Sequence, residues 1–446
     1  MEIDTSFNST TNKVNLDNYW LPFTPNRQFK ENPDLISNAS GHHYYLEGGR
    51  KILDAISGLW CVNAGHCRTP IVDAIKKQVT ELDYATAFNM SHKSVFLTAN
   101  KIAKLMPENL NKIFFTNSGS EAVDSSLKIA AAYFQAIGEK SKHRFIGRER
   151  GYHGVGFGGI SVGGIPSNRK VFSQCLIPGV DHIRHTHIPE KNLFSKSQPH
   201  HGAELADDLE RIIQLHDASN IAALIIEPIA GSTGVLIPPI GYLERVREIC
   251  DEHKILLIFD EVITGFGRTG SAFASQSFNV TPDMIVFAKG VTNGTIPMGG
   301  VAVRQDIYES MMHGPKWLIE LFHGYTYSGH PIASAAANAT IDLYESEKLF
   351  DKAKDLSPYF QKKVHSLSNS KHVVDIRNYG LMCGIELEKI KEKPGVRAYD
   401  CFKKCLDAGV LVRNAGDVIA LTPPLITDEK NIDLIVDTVH DALNSI

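Results

Sequence analysis

LLIFDEV at Leu256 to Val262 and DMIVFAKG at Asp283 to Gly290 are two short apolar runs, each followed by charge at its end. Runs of this length bounded by turns read as strands buried on both faces, and Asp260 and Lys289 then stand at their carboxyl ends. KIFFT at 112 to 116, HRFIG at 143 to 147 and AALIIEP at 222 to 228 read the same way. Between several of them lie helical patterns. EAVDSSLKIAAAYFQAIG spaces Val123, Leu127, Ala130, Phe134 and Ile137 on one face, and LADDLERIIQLHDA and YLERVREICDEHK behave alike. This alternation predicts an α/β fold, a mostly parallel sheet flanked by helices.

Outward from this core the texture changes. At Pro331 an Ala-rich run, IASAAANATIDLYESEKLF, predicts one long helix leading into a region with its own strands and helices. The expected division is an N-terminal segment, 1–60, packing with the small domain, a large domain, 61–330, and a smaller α+β domain, 331–446. HHYYLEGGRKILDAISG in the first segment reads as a hairpin strand pair. A chain of 446 residues is long enough for such a division.

With 43% hydrophobic and 22% charged residues, the composition is that of a globular protein with ample core material. A net charge of −4 argues against a surface that embraces nucleic acid. The longest apolar runs, IAALII and ILLIF, fall well short of the roughly twenty residues that span a bilayer. Seven cysteines, with no C-x-x-C pair or zinc-finger spacing, fit a reducing compartment. MEIDTSFNSTTNKVN lacks both a secretory apolar stretch and transit-peptide character, so a cytoplasmic location is expected.

Three pieces carry chemistry. KIFFT runs through NSGSEA directly into a helix, which brings free amides and the positive helix end to Ser118, Gly119 and Ser120. That is an anion site, although S-x-x-E from Ser118 to Glu121 equally spells a capping box. Asp260 is either half of a structural ion pair or the partner of a protonated heterocycle. Lys289 is either a snorkelling strand-end lysine or a desolvated amine able to form a Schiff base with an aldehyde. Taken together in one chain order, they describe a site for a phosphate-bearing pyridine aldehyde.

On these residues the sequence resembles the class III aminotransferases of pyridoxal phosphate fold type I. The resemblance runs through NYWLPFT, GLWCVNAGH, FFTNSGSEAVD, GRERGYHGVGFGGISVGG, IIEPIAGSTGV, FDEVITGFGR, AKGVTNG, GYTYSGHP and LTPPLI. Its pattern is most similar to the omega-amino-acid:pyruvate branch and, within it, to the β-alanine:pyruvate aminotransferases. The resemblance implies pyridoxal 5'-phosphate linked to Lys289, which also shuttles the substrate proton, and Asp260 holding the pyridine nitrogen protonated. It implies Tyr152 stacked on the cofactor with Val262 on the opposite face, and Ser118, Gly119 and Ser120 at the phosphate. Thr326 would reach over from a second subunit, making the enzyme a homodimer or homotetramer with its active site at the subunit interface. Trp60 and Arg413 would take the substrate carboxylate, with Phe23 and Phe88 shaping the entrance. By their residues alone, Arg413 is equally an edge-strand charge and Trp60 a core aromatic.

The implied reaction moves the amine of β-alanine, or a similar omega-amino compound, to pyruvate. It gives malonate semialdehyde and alanine, ping-pong through pyridoxamine phosphate. Ornithine and 4-aminobutyrate aminotransferases, which the chain also resembles, carry a glutamate five positions after the Glu of their Glu-Pro motif. Here Glu227 opens that motif and Ser232 stands fifth, and Ile263 replaces their glutamine three residues after the aspartate. Pyruvate is therefore the expected acceptor, ahead of 2-oxoglutarate. Taurine and diamines are alternative donors.

Other motifs are discounted. GVGFGG at Gly154 to Gly159 matches G-x-G-x-x-G but lacks the immediately preceding strand and following helix pattern that a dinucleotide fingerprint requires. The histidines of DHIRHTHIPE and PHH have no metal-ligand spacing and read as a solvent-facing loop, so no metal is expected. KSKHRFIGRER is interrupted by an apolar strand and reads as a solvated face or an interface.

Overall fold

A computed structural model describes residues 14–446. Seven strands form the central sheet, in the order Lys112–Thr116, Gly299–Val303, Met284–Phe287, Leu256–Asp260, Ile221–Ile226, Arg144–Arg148, Val180–Ile183. Gly299–Val303 runs antiparallel to both neighbours, and the other pairings are parallel. Ile221–Ile226, Leu256–Asp260 and Met284–Phe287 are buried along their whole length because helices cover both sheet faces. On one face the helix Gly119–Ala136 sets Val123, Leu127, Ala130 and Phe134 against Ile225, Ile258, Val286 and Val301. The opposite face packs Leu224, Leu257 and Phe287 with Tyr242, Ile249 and Phe266.

Two further sheets flank this core. Ile36–Ser40, His43–Leu46 and Lys51–Asp54 form a meander, and Val410–Leu411 adds to it as a parallel strand. The other sheet is ordered Val373–Tyr379, Met382–Leu387, Val418–Leu421, Arg413–Ala415. No helix among the described residues is long and apolar enough to cross a membrane.

Several sequence expectations need correction. KIFFT is an edge strand whose first three residues are only half-buried, since one side has no neighbouring strand. The helix that begins at Pro331 stops at Ser346, because Lys348 adopts a left-handed φ of 52°, and a second helix follows from Leu349 to His365. In GVGFGG no strand immediately precedes the first glycine, since Arg144–Arg148 ends before Glu149, although a short helix, Phe157–Val162, does begin within the motif.

The histidines of DHIRHTHIPE are not a solvent loop. His182 lies in the strand Val180–Ile183, and His185 and His187 are half-buried. His187, Asp375 and Glu386 converge, but Arg377 Nη1 bridges the two carboxylates at 2.6 and 2.7 Å and Arg150 Nη1 reaches His187 Nδ1 at 2.9 Å. Burial, followed by the field of Arg377, pushes the His187 pKa down to about 4. The cluster is an ion-pair network whose two arginines already occupy the place a cation would take.

Candidate active site

Four adjacent strands, Arg144–Arg148, Ile221–Ile226, Leu256–Asp260 and Met284–Phe287, run parallel, so the residues that end or follow them gather at one sheet edge. Tyr152, His153, Glu227, Asp260 and Lys289 all arrive there. The helix Gly119–Ala136 starts from the edge strand and brings its N-terminus to the same place. The outcome is a cavity of about 150 Å³ lined by Gly119, Ser120, Tyr152, His153, Gly154, Glu227, Asp260, Val262, Ile263, Ala288 and Lys289.

Asp260 is 6% exposed and both of its oxygens are tied: Oδ1 accepts from Val262 N at 3.1 Å and Oδ2 meets His153 Nδ1 at 2.8 Å. Each oxygen keeps a lone pair for another partner. Its neighbour Glu261 faces away from this work. It is fully buried and accepts from Thr264 Oγ1 at 3.0 Å and Ser275 N at 2.9 Å, so it anchors the loop that follows the strand.

Lys289 sits in a left-handed turn with φ 49°, a costly conformation for a residue with a side chain. Its carbonyl accepts from Gly294 N at 3.1 Å, and the buried Tyr344 hydroxyl donates to Gly290 O at 2.6 Å. Burial holds the Lys289 amine below the ordinary lysine range, and the negative charge of Asp260 partly opposes that shift.

Glu227 and His153 were not foreseen as site residues. Glu227 is buried at 4% exposure and accepts from Tyr152 N at 2.8 Å and Gly231 N at 3.0 Å, while burial raises its pKa. Its position after the apolar run IAALII is the signal that could have found it. His153 is 1% exposed and its Nε2 has no partner. Burial, followed by the charges of Asp260 and Glu227, raises the Tyr152 phenol pKa.

At the helix N-terminus, Ser118 Oγ accepts from Glu121 N at 3.2 Å and Glu121 Oε2 accepts from Asn117 N at 2.7 Å. Ser118 is the helix N-cap, and Glu121 reaches back one residue further, to Asn117 N, so the cap is present without the full reciprocal box, and Ser118 does not line the cavity. A Cβ on Gly119 would lie 3.0 Å from Val262 Cγ2, so glycine keeps the gap between helix and Val262 open. Gly154, at φ 87°, lets the chain turn directly over Ser120, whose Oγ accepts from Val155 N at 3.1 Å.

The structure thus brings together Gly119, Ser120, Tyr152, Asp260, Val262 and Lys289. It leaves Trp60, Arg413, Phe23, Phe88 and Thr326 outside this cavity. Trp60 is close by, because a Cβ on Gly231 would touch both Ile263 Cδ1 at 2.9 Å and Trp60 Cζ3 at 3.5 Å. Arg413 lies on the strand Arg413–Ala415 with Tyr152 as its titratable neighbour. Phe23 and Phe88 are 75% and 57% exposed. Thr326 is exposed, and its carbonyl accepts from Tyr84 Oη at 3.2 Å.

A desolvated lysine and a fixed carboxylate share one polar cavity beside an open helix N-terminus, with an unpartnered buried imidazole nitrogen alongside. This donor set suits a phosphorylated pyridine aldehyde, and it defines an α/β enzyme of the pyridoxal-phosphate-dependent kind. More particularly, the chain belongs to the class III aminotransferases, matching the Aminotransferase class-III family over residues 26–443. It is 58% identical to an omega-aminotransferase of Caulobacter vibrioides, covering 97% of this chain and 98% of that one. It is 45% identical to a beta-alanine–pyruvate aminotransferase of Pseudomonas aeruginosa, covering 98% and 97%. The fold superposes on the omega transaminase of Pseudomonas jessenii in complex with PMP with a TM-score of 0.90, at 32% identity over 96% of each chain. The protein is a transaminase that uses pyridoxal phosphate and acts on a small-molecule amino donor and a keto acid.

Proposed function

We propose that this enzyme transfers the terminal amino group of β-alanine, or a similar omega-amino acid or amine, to pyruvate. The observation that carries the reading is the state of Arg413. Tyr152, a cavity residue, is the one titratable group bearing on its guanidinium, so no carboxylate of the described residues holds it. Ser232 supplies no lock, and a free fork matches a substrate carboxylate bidentately. The names of the relatives support the same substrates.

When bound, pyridoxal phosphate supplies an aldehyde for amine exchange and a ring that takes up electrons. In this reading Lys289 holds the cofactor and, once displaced, removes and returns the proton at the reacting substrate carbon. Asp260, fixed by His153 and Val262 N, keeps a proton at the pyridine nitrogen. Gly119 and Ser120 hold the phosphate through first-turn amides, while Tyr152 and Val262 flank the ring and Trp60 walls the substrate side. The division into a large unit, 61–330, and a small unit, 331–446, with the N-terminal segment 1–60, of which 1–13 lie outside the described residues, packing with the latter, belongs to the same reading, as does a cytoplasmic location.

Half-reactions with β-alanine, taurine, putrescine and 4-aminobutyrate, each chased with pyruvate or 2-oxoglutarate, test it. β-Alanine with pyruvate should be preferred; a clear preference for 2-oxoglutarate would overturn the inference from Ser232. Arg413→Ala should weaken β-alanine about tenfold or more relative to an uncharged amine, the cost of losing a charge-assisted pair. Equal losses would mark a structural arginine.

The active unit in this reading is a homodimer or larger. Phe88, Met90, Trp317, Phe322 and Tyr327 are exposed by 57 to 82% on neighbouring stretches beside Thr326, a costly arrangement for a lone chain. A Cβ on Gly324 would lie 3.2 Å from Phe88, so the two stretches meet. Sedimentation at micromolar concentration should give at least twice the chain mass, and a monomer that is fully active would refute the shared site.

A further inference from the structure

The two residues assigned to the substrate carboxylate, Trp60 and Arg413, lie 353 positions apart, yet both follow directly from one pair of strands. Lys51–Asp54 pairs in parallel with Val410–Leu411, with Leu53 opposite Val410 and Asp54 opposite Leu411. Ala55 N donates to Leu411 O at 3.0 Å and Leu53 N to Gly409 O at 2.8 Å. Beyond the pair, one strand turns into Trp60 and the other runs straight into Arg413.

The turn into Trp60 is costly. Ser57, Gly58 and Trp60 have φ of 52°, 67° and 65°, and two of the three carry side chains. Such backbone persists only where its surroundings over-determine it. Asp54 does much of that. Its carboxylate is 0% exposed and accepts from Ile56 N at 3.0 Å through Oδ1, and from Gly58 N at 2.7 Å through Oδ2. His66 Nε2 meets the same Oδ2 at 2.7 Å, and the Tyr44 ring lies over His66 with centroids 4.2 Å apart. Ser57 Oγ donates to Thr422 O at 2.7 Å, and Thr422 N to Ala55 O at 2.8 Å, which closes the frame onto the C-terminal region. Asp54 does not line the cofactor cavity.

We infer that Asp54 is the positioning residue for the carboxylate end of the substrate site, acting through the Ser57–Trp60 turn and the strand pair that leads into Arg413. The inference rests on the reading of Trp60 and Arg413 given above. A carboxylate suits this post because three convergent donors need a charged acceptor with several lone pairs. Asparagine offers one acceptor oxygen in place of two, and alanine none.

The test uses the full-length enzyme loaded with pyridoxal phosphate, in the amino-donor half-reaction without keto acid, so that no second carboxylate competes. For Asp54→Asn the concentration of β-alanine giving half-maximal rate should rise about tenfold, and for Asp54→Ala more, since misplacement of about 1 Å at a binding group costs up to about a hundredfold. The rate with propylamine, which has no carboxylate, should fall far less than that with β-alanine. Binding of propionate, read by calorimetry, should weaken in the same ratio as β-alanine. A structural defect would instead lower both donors together, and that result, or unchanged β-alanine affinity, overturns the proposal. Ser57→Ala removes only the bond to Thr422 O and should shift β-alanine in the same direction by less, which keeps the test decisive if Asp54→Ala does not fold. If Arg413→Ala fails to separate the two donors, the carboxylate reading itself has failed. If it separates them and the Asp54 variants do not, only the positioning role is lost.

Discussion

Lys289→Ala is expected to lower transamination by at least about 10⁴-fold, because one amine both anchors the aldehyde and moves the substrate proton. The variant should still fold. Alanine keeps the acceptor at position 289 for Gly294 N, leaves the Tyr344 to Gly290 bond in place, and removes an amine whose burial lowers its pKa. Borohydride reduction of the wild-type holoenzyme, followed by peptide mapping, should find the pyridine group on Lys289. Turnover above about one per cent in the variant, far more than such a loss permits, would remove Lys289 from the mechanism. So would an unmodified Lys289 peptide after reduction.

Asp260→Asn is expected to cost about 10² to 10³-fold in turnover, the usual scale for deleting one preorganised electrostatic partner. The amide can still accept from Val262 N but turns a neutral group toward the pyridine nitrogen. The substitution also has a definite effect on pH dependence. Burial lowers the Lys289 pKa, and the Asp260 charge raises it again. With asparagine the raising influence is gone, so the neutral amine persists to lower pH. Cofactor attachment to the apoenzyme, which needs that neutral amine, should have its acid limb below the ordinary lysine value of about 10.4 in the wild type. In Asp260→Asn the limb should lie lower still. A limb that moves upward would show that another charge controls Lys289.

The positions of Asp260 and Lys289 were legible because an apolar run closed by a charge is a local pattern, and a fully buried strand writes it plainly. Glu227 obeys the same pattern, closing the apolar run IAALII. His153 was hidden differently: a histidine beside Tyr152 carries no mark of a partner 107 positions away in Asp260. The break at Lys348 is invisible in the sequence because helical spacing continues across it, whereas a single left-handed residue ends the hydrogen-bond ladder. His187 reads as solvated because its carboxylate partners, Asp375 and Glu386, come from strands nearly two hundred residues further on.

What the sequence by itself determined is the alternation of strand and helix, and with it the sheet edge where Gly119, Asp260 and Lys289 must gather, since parallel strands place all their carboxyl ends on one side. Only the tertiary structure decided that Lys51–Asp54 pairs with Val410–Leu411, that Asp54 holds the turn into Trp60, and that Ser118 caps a helix without entering the cavity. The reason is range. Hydrophobic periodicity is set by residues within a few positions of one another. The pairing of two short strands more than 350 residues apart is selected by how the whole core closes, and no local pattern encodes that closure.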